Sequence, residues 1–114
     1  KTGIDMYMGL GGAPEGVLAA AALKCLGGQI QGRLIFRTVD EKKRAEWAGI
    51  TDFDRIYNLK DMVRDEVIFA ATGVTDGSML TGARVFDNTL ETETILMRSR
   101  TGSIRRLIYQ QRMK

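Results

Sequence analysis

The chain has 114 residues, of which 44% are hydrophobic and 27% charged, and its formal net charge is +3. This balance excludes a disordered polypeptide and predicts a single globular domain over residues 1–114. No apolar run reaches the roughly 18 residues that span a bilayer, and no signal peptide opens the sequence, so we predict a cytoplasmic protein with no membrane partner.

The first half of the sequence predicts a strand, a helix and a second strand. Residues 3–8 have strand character and lead into glycines. Pro14 suits a first helical position because its missing N–H needs no partner there, and residues 16–26 are rich in alanine and leucine. Gly27 ends this helix. Residues 29–36 predict a strand that returns beside the first, which would make a βαβ-like unit.

The second half predicts one further helix, a short helical turn and three strands. Thr38 is placed to cap the helix, which runs to residue 48, with Glu41 in the capping-box position. Asn58 is placed to cap a turn over residues 59–63. The expected strands cover residues 66–72, 91–99 and 103–110. We expect the last two strands to form an antiparallel hairpin. Taken together, the predicted helices and strands indicate an α/β fold with a mixed sheet.

Several residue types restrict the chemistry. The chain has no histidine, so imidazole metal ligands and histidine-based triads are excluded within it, and any metal must be held by oxygens. We interpret the single cysteine, Cys25, as a buried apolar side chain rather than a nucleophile. Trp47 is expected to pack on its helix, and Met6 and Met8 are expected to line the core or a site.

The glycine-rich segment over residues 7–16, YMGLGGAPEG, is the most informative part of the sequence. It lies where a predicted strand turns into a helix N-terminus, a place where α/β proteins bind ligands and where backbone N–H groups favour phosphate. It is not a P-loop, because Val17 and Leu18 stand where lysine and a hydroxyl residue are needed. It is not a dinucleotide fingerprint either, because Pro14 replaces the third glycine.

Glu15 has two interpretations. In the first turn of a helix, a carboxylate interacts favourably with the helix dipole and needs no further function. Beside a phosphate-binding loop, the same carboxylate can hold a divalent cation that bridges to the phosphate. The spacing alone leaves both interpretations open.

The sequence from residue 4 to residue 28, IDMYMGLGGAPEGVLAAAALKCLGG, resembles bacterial class II fructose-1,6-bisphosphatases. Shorter stretches resemble the same family in the same order, over residues 31–34, 69–77, 92–94 and 100–106. The resemblance therefore covers essentially the whole chain. It is to the C-terminal part of the family's longer sequences.

The resemblance implies a fold and a reaction. Members of this lithium-sensitive phosphatase superfamily have a layered α-β-α-β-α fold, of which this chain would be the C-terminal half. They use Mn²⁺ or Mg²⁺ to remove the 1-phosphate of fructose 1,6-bisphosphate, giving fructose 6-phosphate in gluconeogenesis. The glutamate of the Gly-Ala-Pro-Glu motif is a metal ligand, which maps to Glu15, and the glycine three places earlier contacts substrate, which maps to Gly12.

The resemblance also implies that the site is incomplete in this chain. The family's other acidic ligands and its water-activating threonine belong to an N-terminal part, so no catalytic residue is assigned here and the isolated chain is expected to be inactive. The expected partners are that N-terminal part, a sugar bisphosphate and further copies in a homo-oligomer. Sedoheptulose 1,7-bisphosphate is an alternative substrate.

Other charged residues keep alternative interpretations. Asp76 is interpreted first as a turn former, with a ligand role as the alternative. Arg33 fits a phosphate contact or a sheet-edge side chain equally well. Glu91 and Glu93 should share one face of a strand, where pairing with an arginine of the next strand is preferred to metal binding.

The end of the chain is strongly basic. The last seventeen residues contain six basic residues and no acidic ones. The basic residues are Arg98, Arg100, Arg105, Arg106, Arg112 and Lys114. The alternation of charged and apolar residues predicts the solvated face of strands. The alternative is a basic interaction module that binds nucleic acid, which we rank below the phosphatase interpretation.

Overall fold

A computed structural model describes residues 3–114 and contains three helices and six strands within that range. The helices are α1 (Ala13–Leu26), α2 (Val39–Trp47) and α3 (Leu59–Met62). The strands are β1 (Gln31–Arg33), β2 (Ile56–Asn58), β3 (Ile68–Thr72), β4 (Arg84–Phe86), β5 (Thr89–Arg98) and β6 (Ser103–Arg112). This composition confirms the predicted α/β class.

Helix α1 begins and ends where the sequence predicts. Gly12 is its N-cap, in extended conformation, and Pro14 lies in the first turn. At the other end Gly27 takes a left-handed conformation with φ 74° and donates its N–H to the carbonyl oxygen of Leu23. A residue with a Cβ is strained at that φ, which explains why glycine stops the helix there.

Helices α2 and α3 each begin at the predicted cap. The Thr38 hydroxyl accepts from the N–H of Glu41 at 3.2 Å, while the Glu41 carboxylate accepts from the N–H of Arg37, one residue before the cap, at 2.7 Å. In α3 the box is reciprocal, because Asn58 and Asp61 each accept from the other's backbone N–H at 3.1 and 2.9 Å. Side-chain oxygens thus satisfy N–H groups that the helix itself leaves free.

The strands form two antiparallel sheets. Strands β1 and β2 make a small pair, with Gly32 opposite Tyr57. In the four-stranded sheet β6 pairs with β5 along its full length, and β3 and β4 lie end to end on the other edge of β5. The β5–β6 hairpin is therefore confirmed. All these pairs are antiparallel, so the sheets within residues 3–114 are not mixed.

The first part of the chain departs from the prediction. Residues 3–8 form no strand, and β1 pairs with β2, so the predicted βαβ-like unit is wrong. A strand needs a neighbour to accept its backbone hydrogen bonds, and no other strand of residues 3–114 lies beside this segment. Met6 and Met8 are accordingly exposed, so their predicted place in a core is wrong within residues 3–114, and the site-lining alternative stays a prediction.

The main core lies between α1 and the four-stranded sheet. Cys25 of α1 packs with Ile95 and Met97 of β5, and Met97 is only 1% exposed. The predicted burial of Cys25 is confirmed.

Lys24, the residue before Cys25, ties the end of α1 to the segment before β3. Its ammonium group donates to the carbonyl oxygens of residues 63–65 at 2.5–3.2 Å.

The chain exposes much more surface than its size requires. Its accessible area is 9500 Å², whereas a compact monomer of 12.7 kDa exposes about 6200 Å². Its radius of gyration is 17.9 Å, against about 13 Å for a compact domain of this length.

Trp47 is 96% exposed, so its predicted packing role is wrong. In the part of the chain that the structure describes, no helix is both long and apolar enough to cross a membrane.

The Met97→Ala substitution tests the position of the core. We expect it to lower the free energy of unfolding by about 2–5 kcal/mol, because it leaves a cavity where a fully buried side chain stood. Urea denaturation of the full chain measures the change. Ile108→Ala is the control, since Ile108 is exposed on β6, and an equal loss for both variants would contradict this description of the core.

Candidate functional site

The glycine-rich segment ends at the N-terminus of α1, where backbone N–H groups lack helical partners. Gly12 has no side chain to cap the helix, and the first helical bond runs from the N–H of Gly16 to the carbonyl oxygen of Gly12 at 3.0 Å. Helices α2 and α3 both satisfy their first N–H groups with side-chain oxygens. This helix end therefore keeps donors available to an anion.

Glu15 and Gly12, the two residues singled out by the resemblance, lie against each other. A Cβ built on Gly12 would collide with a carboxylate oxygen of Glu15 and stand 3.1 Å from its carboxyl carbon. The Glu15 side chain is exposed and makes no hydrogen bond or ion pair with any other residue of the 3–114 range. The carboxylate thus lies beside Gly12 at the start of the helix and keeps its oxygens open.

A divalent cation would find one carboxylate here. Magnesium and calcium take six or more oxygen ligands, and manganese prefers oxygen ligands of the same kind. No cluster of three or more Asp, Glu, Cys or His residues occurs within the described range. Within the described residues, this helix end therefore offers one carboxylate, which is fewer oxygens than such a cation takes.

Asp76 has a structural role in the loop between β3 and β4. Its carboxylate accepts from the N–H of Gly82 at 2.8 Å, and Gly77 donates its N–H to the carbonyl oxygen of Leu80 at 3.0 Å. Gly82 is buried, and a Cβ there would stand 2.8 Å from the backbone nitrogen of Asp76. These contacts give Asp76 a structural role within the loop, and its alternative role as a ligand stays a prediction.

Glu93 joins this loop to the hairpin. Its carboxylate accepts from the N–H of Thr81 at 3.0 Å and from Arg106 of β6 at 3.2 Å. Hydrogen bonding from Thr81, followed by the Arg106 guanidinium, lowers the pKa of Glu93 below its ordinary value of 4.5. The predicted pairing with an arginine of the next strand is confirmed for this residue.

Glu91 pairs differently. It accepts from Gln110 at 2.5 Å and from Arg84 of β4 at 2.6 Å, and these two contacts lower its pKa. The predicted pairing with Arg105 or Arg106 is therefore wrong for Glu91, because β4 brings Arg84 to the same position. The sequence held a signal for β4 in the pair Asp87-Asn88, because Asp and Asn are favoured in two-residue hairpin turns. In the structure both residues take positive φ in such a turn.

Arg33 lines an open depression with two other cations. Arg37 and Lys42 share this depression with Arg33, and the Lys42 ammonium lies 4.8 Å from the centre of the Phe53 ring. We singled out neither Arg37 nor Lys42 as a site residue from the sequence, although their charges stand close together in it. Both interpretations of Arg33 remain open, because it is exposed at the edge of β1.

The basic residues at the end of the chain do not form one stripe. Strand alternation divides them between the two faces of the hairpin, with Arg105 on one face and Arg106 and Arg112 on the other. Arg106 is already bound to Glu93. This division fits the solvated-strand interpretation and removes the continuous basic surface that nucleic-acid binding would use.

The comparisons with known proteins agree with one another. Residues 1–111 match the family described as bacterial fructose-1,6-bisphosphatase, glpX-encoded. Two Synechococcus strains have relatives named "D-fructose 1,6-bisphosphatase class 2/sedoheptulose 1,7-bisphosphatase", each 41% identical over 117 aligned residues. A protein of the same name from Trichodesmium erythraeum is 38% identical. Each match covers 91% of this chain and 34% of the relative, so the chain spans about a third of their length.

Acid should weaken the contacts of Glu91 and Glu93. Both carboxyl groups have a lowered pKa in the folded chain, so their contribution to stability is present above 4.5 and is lost as the pH falls through the lower, folded values. We expect the free energy of unfolding to decrease as the pH is lowered below 4.5. Urea denaturation at a series of pH values measures this.

The Glu93→Gln variant isolates one of these carboxylates. It should flatten the pH dependence in the same interval, because the group that titrates is gone. Glu46→Gln, on the surface of α2, is the control and should keep the wild-type profile. Identical profiles for wild type and Glu93→Gln would show that the Glu93 contacts contribute nothing to this dependence.

Proposed function

Because the chain belongs to the bacterial class II fructose-1,6-bisphosphatase family, we propose that it supplies part of the active site of a metal-dependent sugar phosphatase. The reaction is hydrolysis of the 1-phosphate of fructose 1,6-bisphosphate to fructose 6-phosphate, a step of gluconeogenesis. One observation carries the proposal for this chain: the Glu15 carboxylate lies against Gly12 at a helix N-terminus whose donors are free.

The local chemistry suits a phosphate and a cation together. Gly12 has no side chain, so a phosphate oxygen can approach the backbone, and the N-terminus of α1 favours the negative charge. Glu15 provides an oxygen ligand on the same side. A bound Mn²⁺ or Mg²⁺ supplies Lewis-acid polarisation of the phosphoryl group and lowers the pKa of an attacking water.

This chain is proposed to hold and orient the substrate, and to contribute one metal ligand. We assign no general base or nucleophile to it. The remaining oxygens and the activation of water would come from the polypeptide equivalent to the other two thirds or so of the relatives' length. The chain alone should therefore release phosphate at a negligible rate. We place the assembled enzyme in the cytoplasm as a homo-oligomer.

The relatives' names mention two substrates, and both share the reacting group. Fructose 1,6-bisphosphate and sedoheptulose 1,7-bisphosphate each carry a phosphate at either end of a ketose, and differ in sugar length. Gly12 and Glu15 would contact the common phosphate. We propose fructose 1,6-bisphosphate as the main substrate, with sedoheptulose 1,7-bisphosphate as the alternative that other parts of the site would select.

The Glu15→Gln substitution tests the metal ligand. In the enzyme assembled from this chain and the missing portion of a Synechococcus relative, we expect kcat/KM to fall at least about 100-fold, since even second-shell partners of a metal cost 10–100-fold. Phosphate release from fructose 1,6-bisphosphate is measured across a Mn²⁺ titration. The half-saturating Mn²⁺ concentration should rise.

Glu46→Gln is the matched control, because it removes the same charge from an exposed position on α2. It should keep the activity and the Mn²⁺ dependence of wild type. A Glu15→Gln enzyme with an unchanged Mn²⁺ titration would remove Glu15 from the metal site. An assembled wild-type enzyme without metal-dependent phosphate release would refute the proposed reaction.

Gly12→Ala tests the approach of the phosphate. The added Cβ would displace the flexible end of the Glu15 side chain and occupy the space beside the free donors, so KM should rise and the Mn²⁺ titration should shift. Gly11→Ala is the control, because a Cβ there meets no atom within 4 Å. Equal effects of the two substitutions would argue for general damage to the loop.

A further inference from the structure

The four-stranded sheet has two faces of different chemistry. Side chains directly opposite each other on paired strands share a face, and neighbours along a strand alternate. Met97 and Ile95 belong to the inner face, against α1. The opposite face, here called the outer apolar face, carries six large apolar side chains: Ile68, Val85, Leu90, Leu96, Leu107 and Tyr109.

The outer apolar face is open. Ile68, Val85, Leu107 and Tyr109 are between 48% and 65% exposed, so no other element within residues 3–114 covers them. The residues between them are mostly threonines, and the Thr72 and Thr94 hydroxyls hydrogen-bond each other at 2.8 Å. The polar groups of this face are thus partly satisfied without water.

The charges of the hairpin lie on the other side. Beyond the reach of α1, the inner face carries the ion pairs Arg84–Glu91 and Arg106–Glu93. An antiparallel sheet with one solvated face normally turns its polar residues outward and its apolar residues to the core. Here the two faces carry similar numbers of large apolar side chains, but the face without a helix has fewer charged residues, since only Arg98 and Arg105 add charge to it, at one end. It has the composition of a buried face.

The surface area points to a large partner. The excess over a compact monomer is roughly 3000 Å². Permanent interfaces bury about 2000–5000 Å² summed over both partners, which is roughly 1000–2500 Å² on each, whereas transient contacts bury less. The chain also spans only 34% of the length of its relatives. These observations favour a permanent polypeptide partner of the same enzyme over a small ligand.

We propose that the outer apolar face is the surface on which the polypeptide equivalent to the rest of the relatives' length docks. The choice of this partner rests on the proposed function, since that polypeptide would complete the active site. The docked partner buries Leu107 and Tyr109 on the edge strand β6 of this face and leaves the ion pairs of the inner face accessible.

Two neighbouring residues of β6 give a matched test. Leu107 and Ile108 are 48% and 59% exposed and lie on opposite faces of the same strand. The probe is the part of a Synechococcus relative that this chain does not match, and its Kd for the full chain is measured by calorimetry. We expect Leu107→Lys to raise Kd at least about 30-fold, because the ammonium would be buried without a partner. Ile108→Lys should change it by less than about threefold.

A second pair of variants guards against misfolding by lysine. Leu107→Cys and Ile108→Cys are labelled with a maleimide in the presence and absence of the probe. Cys25 is buried and provides a quiet background in the folded chain. Docking should slow labelling at position 107 at least about tenfold and leave position 108 within about twofold, since only one face becomes covered.

Each outcome decides for or against the docking surface. Equal effects at positions 107 and 108, or no complex with the wild-type chain, would overturn the proposal. So would a self-associated chain that Leu107→Lys makes monomeric, because the occupant would then be a second copy. Binding is measured without substrate, and Glu15→Gln should bind normally. A complex that forms but releases no phosphate would therefore refute the proposed function and leave the docking surface standing.

Discussion

The seat of helix α1 on strands β3 and β5 is the contact on which the rest of the structure depends. Cys25 and the buried alanines of α1 are small, so the helix lies close to the sheet against Met97. Glu15 stands ten positions earlier on the same helix, about 15 Å away along its axis. The core therefore fixes where the N-terminus of α1 lies, and with it the backbone position of Glu15.

The features that the sequence predicted correctly are those decided by neighbouring residues. The caps at Thr38 and Asn58, the stop at Gly27 and the β5–β6 hairpin all depend on contacts within a few positions or across one turn. The strand expected at residues 3–8 failed because its hydrogen bonds require a distant partner. The predicted packing of Trp47 was wrong for a related reason. A large apolar side chain indicates burial, but its sequence position does not say which segment would cover it.

The same distinction applies to the candidate site. Glu15 lies over Gly12 because positions three apart meet at the start of a helix, so sequence spacing was enough to bring them together. The partners of Glu91 depended on where β4 lies, and the spacing alone did not give that. The same holds for the excess of exposed area, because local spacing does not say which apolar side chains another segment will cover.

Strand β6 has one edge paired with β5 and ten residues along the other edge without a strand beside them in the described part of the chain. Such an edge is a template for adding a further strand, and proteins protect it with charge. Arg105, Arg106 and Arg112 stand on β6 with no acidic residue among them. Because Arg106 is paired with Glu93, it is the charges of Arg105 and Arg112 that would oppose the edge-to-edge pairing of two copies. The basic residues of β6, for which nucleic-acid binding was the alternative interpretation, thus disfavour fibre-like self-pairing along this edge.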